Sequence, residues 1–99
     1  MRQILRLKDC GSDFLTRRQG KVVRERLVKE FQSLTPGDVL GIDFAQVETM
    51  SPSFADECFG KFAEVVGAGP FRTSVFLIGA NDTIRTLVNA VLADRIASS

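Results

Sequence analysis

Histidine, tryptophan and tyrosine are absent from this 99-residue sequence, and phenylalanine supplies every aromatic side chain. Without histidine, the chain lacks the side chain that most often transfers protons near neutral pH and most often binds transition metals. The two cysteines, Cys10 and Cys58, lie far apart and form no CxxC pair. The sequence therefore argues against a zinc site, and two cysteines without other signs of secretion indicate a reducing cytoplasm.

Long apolar runs and nucleotide-binding loops are missing as well. No apolar stretch approaches the ~20 residues that span a bilayer. No GxxxxGK[ST] loop occurs, and the glycines near residue 68 follow a predicted helix where a dinucleotide fingerprint needs a strand. Nucleophilic catalysis by serine or cysteine normally needs a base such as histidine. These absences predict a non-enzymatic domain without a cofactor, a metal or a membrane segment.

What is present is typical of one small folded domain over residues 1–99. Apolar residues make up 44% of the chain and charged residues 25%, which is ordinary globular composition. The net charge of +1 hides an asymmetry. Residues 1–30 carry nine basic and four acidic side chains, whereas the remainder carries four basic and eight acidic ones. Such an asymmetric field steers an acidic partner or favours self-association.

Hydrophobic periodicity predicts three strands that alternate with three helices. Period-two alternation or a short apolar run indicates a strand, and spacing of three and four residues indicates a helix. The predicted elements are a strand at Gln3–Lys8, a helix from about Arg17, a strand at Val39–Phe44, a helix from Ser51, a strand at Ser74–Ile78 and a helix after Asn81. This alternation predicts an α/β fold with a small, mostly parallel or mixed sheet of 3–4 strands packed with three helices.

Positions within that sheet are also predicted from the strand patterns. Gln3–Lys8 alternates with basic residues, which favours an edge strand and makes self-association through it conceivable. The unbroken apolar run Val75–Ile78 predicts a central strand buried on both faces. The segment Gly67–Pro70 predicts the end of the second helix.

Candidate binding residues cluster in one loop and at the start of the second helix. Partners of parallel sheets normally dock at the carboxyl ends of the strands, and Ser51-Pro52-Ser53 is a strong helix start there. Each polar side chain also has a purely structural explanation, namely capping, turn formation or the helix dipole. Phe54 fits either the core or a partner anchor. The predicted partner-binding residues are Asp43, Ser51, Ser53, Phe54, Asp56 and Glu57, with Ser51 and Ser53 as candidate phosphoacceptors.

Two alternatives remain open from the residues alone. The first helix carries a basic face that suits nucleic-acid phosphates, although acidic residues dilute it and no aromatic residue interleaves. A small-ligand or Mg²⁺ site around Asp43 is the other alternative, weakened by the absence of histidine. The basic face comprises Arg17, Arg18, Lys21, Arg24 and Arg26.

The segments Val39–Phe44 and Val47–Gly60 resemble the STAS-like domain family of uncharacterised bacterial proteins. The central motif is a strand that ends in Asp-Phe, a short gap, and then Ser-Pro-Ser-Phe-Ala-Asp-Glu at the start of a helix. The arginine-rich first helix and the terminal helix, which ends in Asp94-Arg95, fit the family as well. The resemblance implies the fold of the anti-sigma factor antagonists and of the cytoplasmic domains of sulfate transporters, without their final strand and helix.

One departure from the wider STAS class bears on regulation. Its better-known members carry Asp-Ser-Ser or Asp-Ser-Gly at this helix start, and a histidine-kinase-like ATPase phosphorylates the first serine. Here Ser51 stands at the aspartate position, Pro52 at the phosphoacceptor and Ser53 just after it. Because proline cannot accept phosphate, either Ser51 or Ser53 takes the role or phosphorylation has been lost. The resemblance implies a regulatory protein-interaction module that docks a regulatory ATPase/kinase or an anti-sigma-like factor through Ser51–Glu57.

Overall fold

The computed structural model describes residues 2–11 and 13–97, which form a parallel sheet with helices packed against one face. The strands are β1 (Arg2–Arg6), β2 (Val39–Asp43) and β3 (Val75–Ile78). The helices are α1 (Arg17–Gln32), α2 (Pro52–Ala55), α3 (Lys61–Val66), α4 (Ala68–Ser74) and α5 (Asp82–Ala97), with a 3₁₀ turn at Leu7–Asp9 and a π-helical turn at Asp56–Gly60. The predicted α/β class and the small, mostly parallel sheet are confirmed.

The sheet has the strand order β1-β2-β3, and both pairs of neighbours are parallel. The register aligns Ile4 with Gly41 and Gly41 with Phe76. Sequential strands joined by right-handed crossovers place their connecting helices on the same face of the sheet. The core accordingly lies on that face, where Leu40 and Ile42 of β2 are fully buried.

The predicted edge position of the first strand is confirmed, but the predicted central position of the third is wrong. β2 lies in the centre and β3 forms the second edge. Only Val75 of β3 is buried, and the other three residues are half-buried. The apolar run of β3 has another explanation. Gly41 of β2 has no side chain on the outer face of the sheet, which is the face away from the helices, and side chains of both edge strands lie over it. Side chains on the outer face of β3 are therefore partly buried even though β3 is an edge strand.

Helix α1 begins and packs as its pattern predicts. Thr16 caps it, because the Oγ1 atom accepts a hydrogen bond from the backbone N–H of Gln19 at 3.1 Å. Val23 and Leu27 are fully buried. Gly20 is buried where α1 meets the π-helical turn, and a Cβ atom there would lie 2.9 Å from Glu57 Cβ and 3.0 Å from Phe54 O. Glycine at this position therefore sets how closely the two helical segments approach.

The segments α2, the π-helical turn and α3 run without interruption over residues 52–66, and we call them together the central helix. It contacts α1 and α5, and Phe59 packs against Phe44 just after β2, so that residues on several of its sides are buried. Cys58, Phe59 and Phe62 are completely inaccessible. A helix buried on several sides does not show a single amphipathic stripe.

Helix α4 was not predicted. Gly67 ends the central helix at φ 96°, as the Gly-Pro segment suggested. A new helix then starts at Ala68, with Pro70 in its first turn. Proline is tolerated there because the first backbone N–H groups of a helix have no intrahelical partner. From Pro52 to Ser74 the second crossover is therefore helical except at Gly67.

The last helix, α5, begins after Asn81, as predicted, and Asn81 caps it. Asn81 Oδ1 accepts a hydrogen bond from the backbone N–H of Ile84 at 2.9 Å. Ile84 and Val88 are buried against the central helix. None of the helices within residues 2–11 and 13–97 is long and apolar enough to cross a membrane.

Candidate functional site

Ser51 fixes the start of the central helix to the segment that precedes α1. Its Oγ atom accepts a hydrogen bond from the N–H of Phe54 at 3.0 Å and donates one to the carbonyl oxygen of Leu15 at 2.7 Å. Its backbone N–H also donates to the carbonyl oxygen of Phe14 at 2.9 Å. The predicted N-cap role of Ser51 is confirmed, and the same hydroxyl joins two loops that lie far apart in sequence.

Asp43 organises the loop that follows β2. Its Oδ1 atom accepts a hydrogen bond from the backbone N–H of Ala45 at 2.9 Å, which is the turn-forming role that aspartate commonly takes. Beyond it, Gln46 adopts a φ of 66°. Asn81 Nδ2 donates to the carbonyl oxygen of Glu48 at 3.0 Å and so links this loop to the one after β3. The loops at the carboxyl ends of the strands therefore form one connected surface.

Phe54 does not lie on that surface. Its side chain is fully buried, and its ring packs edge-to-face against Phe14 at 5.4 Å and against Phe59 at 6.3 Å. The expectation that Phe54 is a surface anchor for a partner is wrong, because the segment before α1 folds over the helix start. The alternative that Phe54 belongs to the core is confirmed.

Asp56 of the central helix forms ion pairs with arginines of α1 and α5. Arg95 of α5 donates two hydrogen bonds to it, from Nε to Oδ1 at 2.8 Å and from Nη2 to Oδ2 at 2.7 Å. Arg17 of α1 donates from Nη1 to Oδ2 at 3.1 Å. Hydrogen bonds from Arg95, assisted by those from Arg17, lower the pKa of Asp56 to about 2. Arg95 also pairs with Glu64 at 2.9 Å.

Glu57 is the centre of a second group of charges. Only 8% of this residue is exposed. Arg24 donates to its Oε2 at 2.6 Å and to its carbonyl oxygen at 2.8 Å, Lys61 donates to Oε2 at 3.0 Å, and Arg17 donates to Oε1 at 3.3 Å. Hydrogen bonds from Arg24 first, and then from Lys61, lower the pKa of Glu57 to about 2. Arg17 therefore bridges the two carboxylates.

These contacts bear on two expectations from the sequence. Glu57 is not a free acidic group on a docking surface, because its carboxylate is buried among three cations. Two residues of the basic face of α1, Arg17 and Arg24, bind carboxylates of the central helix. Helical spacing within α1 could not reveal partners that lie about forty residues away.

An open groove of about 480 Å³ runs between the start of the central helix and α5. We call it the helix groove. Leu87, Ala90 and Val91 of α5 provide its apolar side. Its remaining lining is polar or charged, apart from Pro52, and consists of Arg17, Pro52, Ser53, Asp56, Asp94 and Arg95. The sequence motif marks the helix start, but nothing in the sequence indicated that α5 forms the opposite wall.

Ser53 differs from Ser51 in what its hydroxyl does. Ser53 is exposed on the lining of the helix groove, and its hydroxyl makes no hydrogen bond within residues 2–11 and 13–97. The Ser51 hydroxyl, in contrast, is engaged as both a donor and an acceptor. Of the two candidate phosphoacceptors, Ser53 is therefore the one whose oxygen is accessible in the folded protein.

Cysteine and carboxylate side chains do not assemble into a metal-ligand set in the described part of the chain. Cys58 is buried and Cys10 is half-buried, and neither forms a disulfide. Burial raises the pKa of the Cys58 thiol well above its ordinary value. Cys58 is therefore a small core residue in this fold.

Comparisons with known proteins agree with the fold and the motif. The family model described as a STAS-like domain of unknown function (DUF4325) matches residues 19–85. That stretch contains most of α1, the whole sheet apart from β1, the central helix and the first residues of α5. No curated protein and no solved structure matches the chain. The chain belongs to the family of STAS-like domains of unknown function.

Proposed function

We propose that this chain is a non-enzymatic regulatory module that binds a protein partner through the helix groove. A STAS-like domain suggests a regulatory role in protein interaction. The partner class that the family resemblance favours is a regulatory ATPase of the histidine-kinase-like type or an anti-sigma-like factor. The observation that carries the proposal is the groove itself, which places the exposed Ser53 beside an apolar wall and two arginines.

The composition of the helix groove supports a protein partner. Its apolar wall on α5 offers a surface for an amphipathic helix or an apolar side chain, while charges on the rim select orientation. The docking surface in this proposal is Ser53, Asp56 and the groove wall of α5. Ser51 and Asp43 contribute by holding the loops in place, since their side chains are engaged in loop hydrogen bonds.

The charge state of the carboxylates supports binding as opposed to catalysis. A general acid or base works best when its pKa lies near the operating pH. The pKa values of Asp56 and Glu57 are both lowered to about 2, because arginines donate hydrogen bonds to them. Such groups remain ionised near neutral pH and serve as fixed anchors for neighbouring cations.

We also propose Ser53 as the site of phosphorylation, if the partner is a kinase. A phosphate on Ser53 would add close to two negative charges on a lining that also contains Arg17 and Arg95. Those arginines currently bind Asp56, so a phosphate competes with Asp56 for them. Phosphorylation thereby changes the charge of the docking surface. A cytoplasmic location belongs to the same proposal, and it rests on the sequence, in which two cysteines occur without other signs of secretion.

The groove is tested by co-expressing the chain with an ATPase or anti-sigma-like protein encoded next to it and measuring the complex by size-exclusion chromatography. Ala90→Glu places a charged side chain on the exposed apolar wall and should weaken the complex at least about tenfold, equivalent to about 1.4 kcal/mol. Asn89→Glu is the matched control, because Asn89 is an exposed neighbour on α5 that does not line the groove. Equal weakening by both variants would mean that the groove is not the docking surface.

Phosphorylation is tested by incubating the chain with the co-purified kinase and ATP, followed by intact-mass and peptide mass spectrometry. We expect phosphate on the wild-type chain and on Ser51→Ala, and none on Ser53→Ala. Circular dichroism of each variant confirms that it is folded. Phosphate that persists on Ser53→Ala and disappears from Ser51→Ala would reverse the assignment.

A further inference from the structure

The two edges of the sheet differ in how they are protected. β1 carries Arg2 and Arg6, which are exposed, and charged side chains are a common means by which proteins prevent edge strands from pairing. β3 has the sequence Val-Phe-Leu-Ile, without a charge or a proline. On the side away from β2, it pairs with no strand of residues 2–11 and 13–97. An apolar edge of this kind favours the addition of another strand.

The outer face of the sheet is apolar next to this edge. Phe76 and Ile78 of β3 lean towards Gly41 on the face away from the helices, and a Cβ atom on Gly41 would lie 3.0 Å from Phe76 Cζ and 2.7 Å from Ile78 Cδ1. Ile4 approaches from β1 and remains 51% exposed. The guanidinium of Arg2 lies 5.0 Å from the centre of the Phe76 ring. Phe76 and Ile78 are thus held in place beside the open edge.

The two edge strands differ in which residues would face each other if two copies of the chain paired about a two-fold axis. A two-fold axis perpendicular to the sheet makes the two copies of an edge strand antiparallel and keeps the helices of both copies on the same side. Pairing of β1 about Ile4 then places Arg2 directly opposite Arg6 of the second copy. Like charges in directly opposite positions destabilise a sheet. In the registers centred on Gln3 or Leu5, an arginine instead lies opposite Ile4 of the second copy. Every one of these registers brings a charged side chain into the pairing, and such side chains disfavour the pairing of edge strands.

The same operation on β3 brings together apolar residues only. In one register Phe76 lies opposite Phe76 of the second copy, and Val75 lies opposite its Leu77. In the other register, Leu77 lies opposite Leu77 and Phe76 opposite Ile78. Aromatic and β-branched pairs are favourable in such positions. Both registers keep inner-face residues on the inner face, as the period of two in a strand requires.

We propose that β3 is a self-association edge, through which two copies of this chain pair antiparallel to form a continuous six-stranded sheet. The occupant of the edge is a second copy because β3 is self-complementary in apolar character and carries no charge that repels its equivalent. A closed pair also removes the unpaired edge of β3 in both molecules, which a head-to-tail contact would leave open on one of them. Four residues per copy form a short edge, so the dimer dissociates on dilution.

Cysteine cross-linking tests this pairing directly. In a Cys10→Ser background, Phe76→Cys and Leu77→Cys each place a thiol on β3. Cα atoms of opposite residues in antiparallel strands lie about 4.5–5.5 Å apart, which is within the range for a disulfide. We expect mild oxidation to give a covalent dimer from at least one of the two variants. The control is Ile4→Cys, at the equivalent level of the other edge strand.

Sedimentation of the Cys10→Ser parent over a concentration series supplies the reversible measurement. A monomer–dimer equilibrium is expected, and Phe76→Lys or Ile78→Lys should weaken it at least about tenfold, with circular dichroism confirming that each remains folded. Ile4→Lys should leave it unchanged. The proposal is overturned if neither β3 cysteine cross-links, if Ile4→Cys cross-links equally well, or if the parent stays monomeric at several hundred micromolar. Assemblies larger than a dimer would also contradict it, because a two-fold contact closes.

Discussion

Arg95 and Asp56 form a two-bond ion pair, with Nε 2.8 Å from Oδ1 and Nη2 2.7 Å from Oδ2. The pair joins the last helix to the π-helical turn, and Arg17 adds α1 to the same carboxylate. Gly60 makes this geometry accessible, since a Cβ atom there would lie 2.9 Å from Arg95 Cγ. Three helices are thus fastened at one aspartate beside the groove that we propose as the docking surface.

Replacement of Arg95 should reveal the contribution of this pair. Arg95→Met keeps most of the aliphatic stem but removes the donors to Asp56 and Glu64. We expect the free energy of unfolding in urea to fall by about 1.5–3 kcal/mol, which is the usual range for hydrogen bonds to charged groups. Arg85→Met, at an exposed position on the same helix, should change it by less than about 0.5 kcal/mol. Similar losses for both variants would assign the effect to α5 in general.

Two glycine substitutions should have opposite effects on stability. At Gly20 a Cβ atom would lie 2.9 Å from Glu57 Cβ and 3.0 Å from the carbonyl oxygen of Phe54. Gly20→Ala should therefore lower the free energy of unfolding by about 1–3 kcal/mol, as overpacking does. Gly69→Ala is the control, because nothing lies within 4 Å of the added atom. It should be neutral or stabilise α4 by up to about 1 kcal/mol, as urea denaturation can measure.

Stability should fall in acid because of Asp56 and Glu57. Their pKa values are about 2 in the folded protein, against ordinary values of 3.8 and 4.5. A pKa lowered by folding means that the unfolded chain binds protons first as the pH falls. The stabilisation is therefore complete above about pH 5 and is lost progressively towards about pH 2. Urea denaturation across this range should show a shallower pH dependence for Glu57→Gln than for the wild type.

The two serines at the helix start should differ when each is replaced by alanine. Ser51→Ala removes the N-cap and also the donor to Leu15 O. It should cost about 1–2 kcal/mol in the free energy of unfolding. Ser53→Ala should change the free energy of unfolding by less than about 0.5 kcal/mol, since Ser53 is exposed. Thermal and urea unfolding of both variants would test this, and a larger loss for Ser53→Ala would contradict the cap assignment.

Phe54→Ala should lower the free energy of unfolding. The ring is fully buried against Phe14 and Phe59, and removal of a buried phenylalanine costs about 3–5 kcal/mol. The expected observation is a strongly lowered urea midpoint. Phe54→Leu, which keeps an apolar side chain of similar size, should lose much less. A Phe54→Ala variant of unchanged stability would mean that the ring is accessible in solution.

Much of the local structure could be predicted from the sequence because it depends on neighbouring residues. The helix start at Ser51 depends on a hydroxyl and a proline within three positions, and the α1 pattern depends on spacing alone. Helix α4 was missed because Gly67-Ala68-Gly69-Pro70 resembles a terminator. In the structure, Gly67 takes a positive φ and Pro70 falls in a permissive first turn. Whether this segment forms a loop or a new helix therefore depends on where the proline falls relative to the helix start.

The sequence by itself determined the α/β alternation, the parallel connection of the strands and the motif that identifies the family. Tertiary structure alone decided that Phe54 is core, that β3 is an edge, and that Arg17, Arg24 and Arg95 bind Asp56 and Glu57. Sequence patterns indicate hydrogen bonds and burial that depend on residues two to four positions apart. The packing of helices around residues 56 and 57 joins side chains about forty positions apart, and no short-range pattern records that distance.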